Sequence, residues 1–170
     1  MVRKLYKLKS FSPEATYEIA FQLAQKLKGS ELIALEGDLG AGKTQFVKGL
    51  AAGLGASDPV TSPTFMLLHN YEGRLPLAHF DVYRLPTPQA LEELGYEEFF
   101  YGPGVTAVEW SDLISEYLPE DYLLVRITRI EDAQQGEGRL IELVPSGQTS
   151  EALVDELQKE ELFKNDSAGD

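Results

Sequence analysis

Gly37-Asp38-Leu39-Gly40-Ala41-Gly42-Lys43-Thr44 is a complete GxxxxGK[ST] loop. The apolar run Leu32-Ile33-Ala34-Leu35 precedes it, and Phe46, Val47, Leu50, Ala51 and Leu54 follow at helical spacing. Strand, glycine-rich turn and helix in that order make the phosphate-binding element of an α/β sheet. The glycines let successive backbone N–H groups converge on one concavity, and the helix adds its positive N-terminal end to the same spot. Polyphosphate fits that field. Lys43 is expected to reach the β- and γ-phosphates as a point charge, and the Thr44 hydroxyl to ligate the Mg²⁺ bridging them. The loop residues Gly37 to Thr44 therefore read as the cradle of a nucleoside triphosphate.

With 170 residues, 43% of them hydrophobic, the chain suits one α/β domain with a sizeable core and is too short for two. No apolar stretch approaches the ~20 residues that cross a bilayer, and Met1-Val2-Arg3-Lys4 leads into no signal-like apolar core, so a cytoplasmic location is expected. The chain contains no cysteine, which excludes disulfides, thiolate nucleophiles and cysteine-based zinc sites. His69 and His79 are too few for an all-histidine metal site. Chemistry must come from carboxylates, hydroxyls, Lys, Arg and Mg²⁺. The formal charge of −13 disfavours tight nucleic-acid binding by this chain alone. Residues 149–170 hold seven acids and two bases of that total, which marks 149–170 as an acidic C-terminal helix and tail, partly disordered, beside a P-loop domain over 1–148.

Outside the loop, Lys4 to Leu8 reads as an edge strand, and Ser12 and Pro13 open a helix expected to run to about Lys28, with Gly29 as its stop. Gly53 and Gly55 should close the helix after the loop, and Pro59 and Pro63 make Val60 to Phe65 irregular. Met66 to Tyr71 and Pro76 to Phe80 read as two strands joined by a turn. Thr87-Pro88 caps a short helix, Val105 to Val108 is a buried strand, and Ser111 caps another short helix. Tyr122 to Ile130 and Arg139 to Val144 form an antiparallel hairpin across the loop Glu131 to Gly138, and Ala152 to Phe163 reads as a final helix. The expected fold is one P-loop NTPase-like domain, a mixed sheet with helices on both faces and an antiparallel edge.

A P-loop enzyme needs a carboxylate at the end of a neighbouring strand to orient Mg²⁺, and often a second to position the attacking water. Glu109 ends the more apolar strand, Val105 to Val108; Asp81 ends the less apolar Pro76 to Phe80. Both are candidates. Ser62-Pro63-Thr64-Phe65 lies where a switch-like loop returns to the γ-phosphate. His79, on the same strand face as Asp81, reads as a structural histidine. Arg84 fits either a phosphate clamp or a surface residue, and Trp110, beside Glu109, either core packing or a reporter of nucleotide.

Four motifs in order, the loop at 37–44, Ser62-Pro63-Thr64-Phe65, His79-Phe80-Asp81-Val82-Tyr83-Arg84-Leu85 and Val108-Glu109-Trp110, resemble the TsaE (YjeE-type) ATPase family of bacterial tRNA threonylcarbamoyladenosine biosynthesis. The resemblance spans about Lys4 to Val144. It implies a Mg²⁺-dependent ATPase that cycles between ATP and ADP and works with a kinase-like-fold threonylcarbamoyl transferase and its paralogous scaffold subunit. Those partners modify the adenosine next to the anticodon, so tRNA is met only indirectly. The same match makes Thr44 and Glu109 the Mg²⁺ ligands and Asp38 to Thr44 the phosphate cradle. It makes Asp81 a catalytic or metal-water residue, and sets the start of the first helix, near Ser12 and Thr16, beside the adenine. Lys43, Asp81 and Glu109 are then the catalytic set.

Three rivals can be weighed against it. A small-molecule P-loop kinase closes an arginine-rich lid over the transferred phosphate, yet only Arg74 and Arg84 lie between the loop and Tyr122. A regulatory GTPase lacks its NKxD element here, the asparagines being Asn70 and Asn165. A non-catalytic nucleotide-gated assembly module shares every binding residue and differs only in turnover.

Overall fold

The computed structural model describes residues 5–60 and 67–164. Among these, seven strands form one sheet: β1 Tyr6–Ser10, β2 Leu32–Glu36, β3 Leu68–Tyr71, β4 Leu77–Asp81, β5 Val105–Glu109, β6 Leu123–Asp132 and β7 Gly136–Pro145. Their order is β1-β7-β6-β2-β5-β4-β3. The four central strands, β6-β2-β5-β4, run parallel. Antiparallel pairs close both edges, β1 and β7 against β6 on one side and β3 against β4 on the other. The expected mixed sheet is therefore present, with an antiparallel pair at each edge.

The strand before the loop, β2, sits in the middle, and its alternation divides the core. Ile33 and Leu35 point to a cluster with α1 (Pro13–Gln25), α2 (Lys43–Gly53) and α4 (Gln148–Leu157). Leu32 and Ala34 point to the other face, with Leu91, Phe100 and Ile114 from the short helical segments Pro88–Leu94, α3 (Tyr96–Phe100) and Ser111–Tyr117. Side chains that alternate along a strand buried on both faces need an apolar residue at every position, which is what Leu-Ile-Ala-Leu supplies.

Helices α1 and α2 approach so closely that a Cβ on Gly49 would run into the Tyr17 carbonyl, and one on Gly53 into the Phe21 carbonyl. These two glycines, four apart on one helix face, let the backbones touch. Gly53 is thus the last residue of the helix and a packing contact, and Leu54 follows as its C-cap. Helix α1 stops at Gln25, three residues short of the expected Lys28. Arg74 reaches its end, donating from Nη2 to the Ala24 carbonyl, which also accepts the Leu27 N–H, and from Nη1 to the Leu27 carbonyl, each at 3.0 Å, so that carbonyls at the helix end gain a donor from another segment.

Other boundaries also moved. The first strand begins at Tyr6 and runs to Ser10 because it pairs with β7 over that whole length. The second strand of the pair at the opposite edge extends through Asp81. The hairpin expected to loop from Glu131 to Gly138 keeps pairing out to Asp132 and Gly136. The Asp132 carboxylate accepts the N–H groups of Gln134 and Gln135, which makes the short turn. Ser111 does not cap its helix. Trp110 holds that place in the left-handed region (φ 63°), while the Ser111 hydroxyl donates to the Leu35 carbonyl at 3.2 Å. Thr87 precedes its 3-10 segment without a side-chain cap bond.

The boundary expected after residue 148 falls in the first turn of α4. Leu153, Val154 and Leu157, with Phe163 beyond the helix, are buried in the same cluster as Tyr6 and Leu8. The expected Ser62 to Phe65 loop and the tail from Asn165 to Asp170 lie outside the described residues.

Candidate functional site

Parallel strands deliver their C-terminal ends to one edge of the sheet, and ligands of open α/β sheets bind outside those ends. Glu36, Asp81 and Glu109 end β2, β4 and β5 there. Asp81 and Glu109 stand at the same register position on neighbouring strands. The loop Gly37 to Gly42 leaves β2 and turns into α2, with Gly42 at φ 119° as the helix N-cap, a conformation that side-chain-bearing residues rarely adopt.

The described residues bring the expected set together. The Thr44 hydroxyl donates to Glu109, 3.1 Å from Oε1 and 3.2 Å from Oε2, joining residues 65 apart in sequence. The Lys43 ammonium donates to the carbonyls of Gly37 (2.6 Å) and Asp38 (2.9 Å) and lies 4.0 Å from the centroid of the Trp110 ring. Burial lowers the Lys43 pKa from its ordinary value, against the opposing pull of Glu109, Asp81, Asp112 and Asp38. Burial raises that of Asp81. The Tyr83 N–H bond to its carboxylate opposes the rise, and the nearby Glu109 charge adds to it.

A cleft of about 530 Å³ opens over these groups, with Leu39, Gln45, Tyr83 and Arg84 on its walls. Arg84 is exposed on that wall. Trp110 packs against Tyr83, ring centroids 4.6 Å apart. A second cleft of about 440 Å³ begins on the other side of the loop, sharing Gly40, Gly42 and Gln45 with the first and reaching Ser12, Thr16, Phe11 and Arg139. The loop thus forms the ridge between two connected hollows.

The donor set fits Mg²⁺. A hydroxyl and a carboxylate in hydrogen-bond contact, with a second carboxylate on the adjoining strand, are hard oxygen ligands. Among the described residues no cluster of three or more His, Cys, Asp or Glu makes a protein-only metal cage. Mg²⁺ typically takes one or two protein carboxylates and fills its octahedron with phosphate oxygens and waters.

A family model described as "Threonylcarbamoyl adenosine biosynthesis protein TsaE" matches residues 10–139, which contain the loop, both carboxylates and most of the sheet. The chain belongs to the TsaE family. It is 42% identical over 163 residues to the tRNA threonylcarbamoyladenosine biosynthesis protein TsaE of Bacillus subtilis (strain 168), covering 95% of this chain and 99% of that one. The protein of the same name from Aquifex aeolicus is 46% identical over 129 residues, covering 69% of this chain and 92% of the relative. A crystal structure of Bacillus subtilis YdiB superposes with a TM-score of 0.78 at 40% identity, covering 94% of this chain and 97% of the other. The chain therefore has the TsaE P-loop fold and a role in tRNA threonylcarbamoyladenosine biosynthesis.

In this TsaE chain the loop is held from behind by residues that no motif announced. Arg139 donates from Nε to the Ala41 carbonyl at 2.7 Å, and Nη2 lies 3.4 Å from that of Gly40. Arg129 Nη2 lies 3.4 Å from both the Leu39 and Gly40 carbonyls. Arg129 and Arg139 face each other across β6 and β7. Two guanidinium groups in direct opposition repel, and the loop carbonyls, that of Gly40 shared by both, supply the compensating acceptors. The only sequence signal was three arginines on a hairpin, Arg126, Arg129 and Arg139, and the pairing register gives it meaning. His79 also proves to be more than packing: its Nε2 lies 2.6 Å from Glu109 Oε2, with both side chains buried.

Proposed function

We propose that the chain is a Mg²⁺-dependent ATPase that serves threonylcarbamoylation of the adenosine next to the anticodon, in the cytoplasm. Its partners in this reading are a kinase-like-fold threonylcarbamoyl transferase and the paralogous scaffold subunit. The carrying observation is the Thr44 hydroxyl resting on both oxygens of Glu109 at the mouth of the Gly37 to Thr44 loop. Catalysis by a P-loop enzyme needs that hydroxyl and that carboxylate side by side, because both bind the same cation.

Each residue then has a task. The backbone N–H groups from Asp38 to Thr44 cradle the phosphates, and Lys43 exchanges its carbonyl partners for the β- and γ-phosphate oxygens. Thr44 and Glu109 hold Mg²⁺, which supplies neutralisation of the phosphate charge. Asp81, whose pKa burial raises, orients the attacking water. The hollow bounded by Ser12, Thr16 and Phe11 accepts the nucleoside, with Phe11 as an apolar wall for the base. The formal charge of −13 favours a protein partner over direct contact with tRNA.

Arg84 is the exposed arginine on the wall of the metal-side cleft, and an arginine that offsets transition-state charge is worth roughly 10³ to 10⁵ in rate. Slow hydrolysis by the isolated chain, raised by partners that complete the site, is the expected behaviour. The deciding experiment measures ATP hydrolysis by the purified protein with and without the transferase, the scaffold and tRNA. Stimulation lost in Glu109→Ala and Asp81→Ala supports the reading. Turnover at the same rate with or without partners, untouched by either substitution, defeats it. Binding of ATP with no turnover under any condition points instead to a nucleotide-gated assembly module.

A further inference from the structure

His79 lies wholly buried in the centre of β4, a strand whose neighbours Ala78 and Phe80 are apolar and buried. An imidazole in such a place costs free energy unless its nitrogens are satisfied. Among the described residues only one of them is. Nε2 contacts Glu109 Oε2 at 2.6 Å, and no described residue offers Nδ1 a hydrogen bond. Opposite a carboxylate oxygen Nε2 is the donor. A histidine retained for the sheet alone gains nothing there over leucine. One retained for Glu109 needs only Nε2.

Glu109 receives three contacts from the described residues. Thr44 Oγ1 approaches both oxygens, and His79 adds a second, shorter bond to Oε2 alone. That bond comes from the neighbouring strand, so it fixes the rotation of the carboxylate about its last torsion. Terminal carboxylate torsions are otherwise broad and nearly two-fold, so an unheld Glu109 turns its carboxylate plane relative to Thr44. Ligating carboxylates that are themselves hydrogen-bonded bind their metal more tightly, and loss of such an outer partner typically costs 10- to 100-fold in metal affinity.

On the reading of Thr44 and Glu109 as the cation ligands, we propose that His79 is a positioning residue that holds Glu109 Oε2 and so presents Oε1 to the cation beside Thr44. It touches neither nucleotide nor metal.

The test titrates Mg²⁺ into the protein saturated with ADP, following Trp110 emission and, separately, calorimetric heat. ADP affinity in the presence of a chelator and the melting temperature are measured alongside. In His79→Leu the half-saturating Mg²⁺ concentration should rise about tenfold or more while metal-free ADP affinity is unchanged. His79→Gln sets an amide nitrogen near the Nε2 position and should restore most of the loss. His79→Asn sets it near Nδ1, out of reach of Glu109, and should not. If His79→Leu fails to fold, the Gln and Asn pair still makes the comparison. An unchanged Mg²⁺ midpoint in His79→Leu overturns the proposal, as do equal losses in Gln and Asn that track a lowered melting temperature. Failure of the underlying reading has a different signature: a Mg²⁺ response of ADP binding in Glu109→Ala equal to that of the unsubstituted protein removes Glu109 as a ligand and the proposal with it.

Discussion

Asp81 and Glu109 occupy the same register position on the parallel strands β4 and β5, so two carboxylates meet at the edge of the sheet where the phosphate loop opens. Burial and then the Glu109 charge hold the Asp81 pKa above its ordinary value, only partly offset by the Tyr83 N–H, His79 and Lys43. A raised folded-state pKa means that the native chain binds the proton more readily than the unfolded chain. The carboxylate therefore destabilises the fold above that raised value, and the penalty vanishes as the pH falls below the unfolded value near 4.

Asp81→Asn should accordingly raise the melting temperature at neutral pH, by a few degrees if the relief is about 1 kcal/mol. It should also abolish partner-stimulated turnover while nucleotide binding is largely kept. Thermal melts and equilibrium ATP titrations on the same preparation check both halves. A variant that is less stable than the parent at pH 7 contradicts the burial argument.

Arg139→Ala should weaken ATP and ADP binding alike, since it loosens the loop rather than removing a phosphate contact. Arg139→Lys should rescue little, because a point ammonium cannot reach Ala41, Gly40 and Gly138 together as the guanidinium fork does. Arg129, exposed and at 3.4 Å, should matter less. Calorimetric affinities for Arg139→Ala, Arg139→Lys and Arg129→Ala rank them.

Lys43→Ala should cost more for triphosphate than for diphosphate, because the ammonium spans the β- and γ-phosphates. The same substitution frees Trp110 from a cation 4.0 Å from its ring centroid. Trp110 is the only tryptophan, so its emission reports this contact, and nucleotide that draws Lys43 away should change the emission of the parent but not of Lys43→Ala. A titration with ADP that leaves the parent's emission flat while calorimetry reaches saturation would separate Trp110 from the site.

Helix α4 is capped from a distance. Asp121 accepts the N–H groups of Thr149 (2.7 Å) and Ser150 (3.1 Å), and although burial opposes it, hydrogen bonds from Ser150 and Thr149 hold its pKa below the ordinary value. A depressed pKa contributes stability that is present in full above the unfolded value near 4 and is lost as the pH falls through the lower folded value. Asp121→Ala should lower the melting temperature at pH 7 by a few degrees, the loss of a cap being worth about 1 kcal/mol. Melts repeated down to pH 3 should show the gap between parent and variant closing.

The sequence by itself determined the phosphate loop, its flanking strand and helix, and the two strand-end carboxylates. Each of these is local: a left-handed glycine, a helical repeat or an apolar run is imposed by residues a few positions apart, and Gly37 to Thr44 carries its chemistry wherever it folds. Tertiary structure alone decided which of those pieces meet. Sheet order set β5 beside β2 and β4 beside β5, which brought Glu109 to Thr44 and Asp81 to Glu109. Hairpin register put Arg129 opposite Arg139 behind the loop, and Arg74 ended a helix almost fifty residues away. His79 passed as core in the sequence because a period-two pattern says only that a residue faces inward, and its bond to Glu109 exists only once two strands lie side by side.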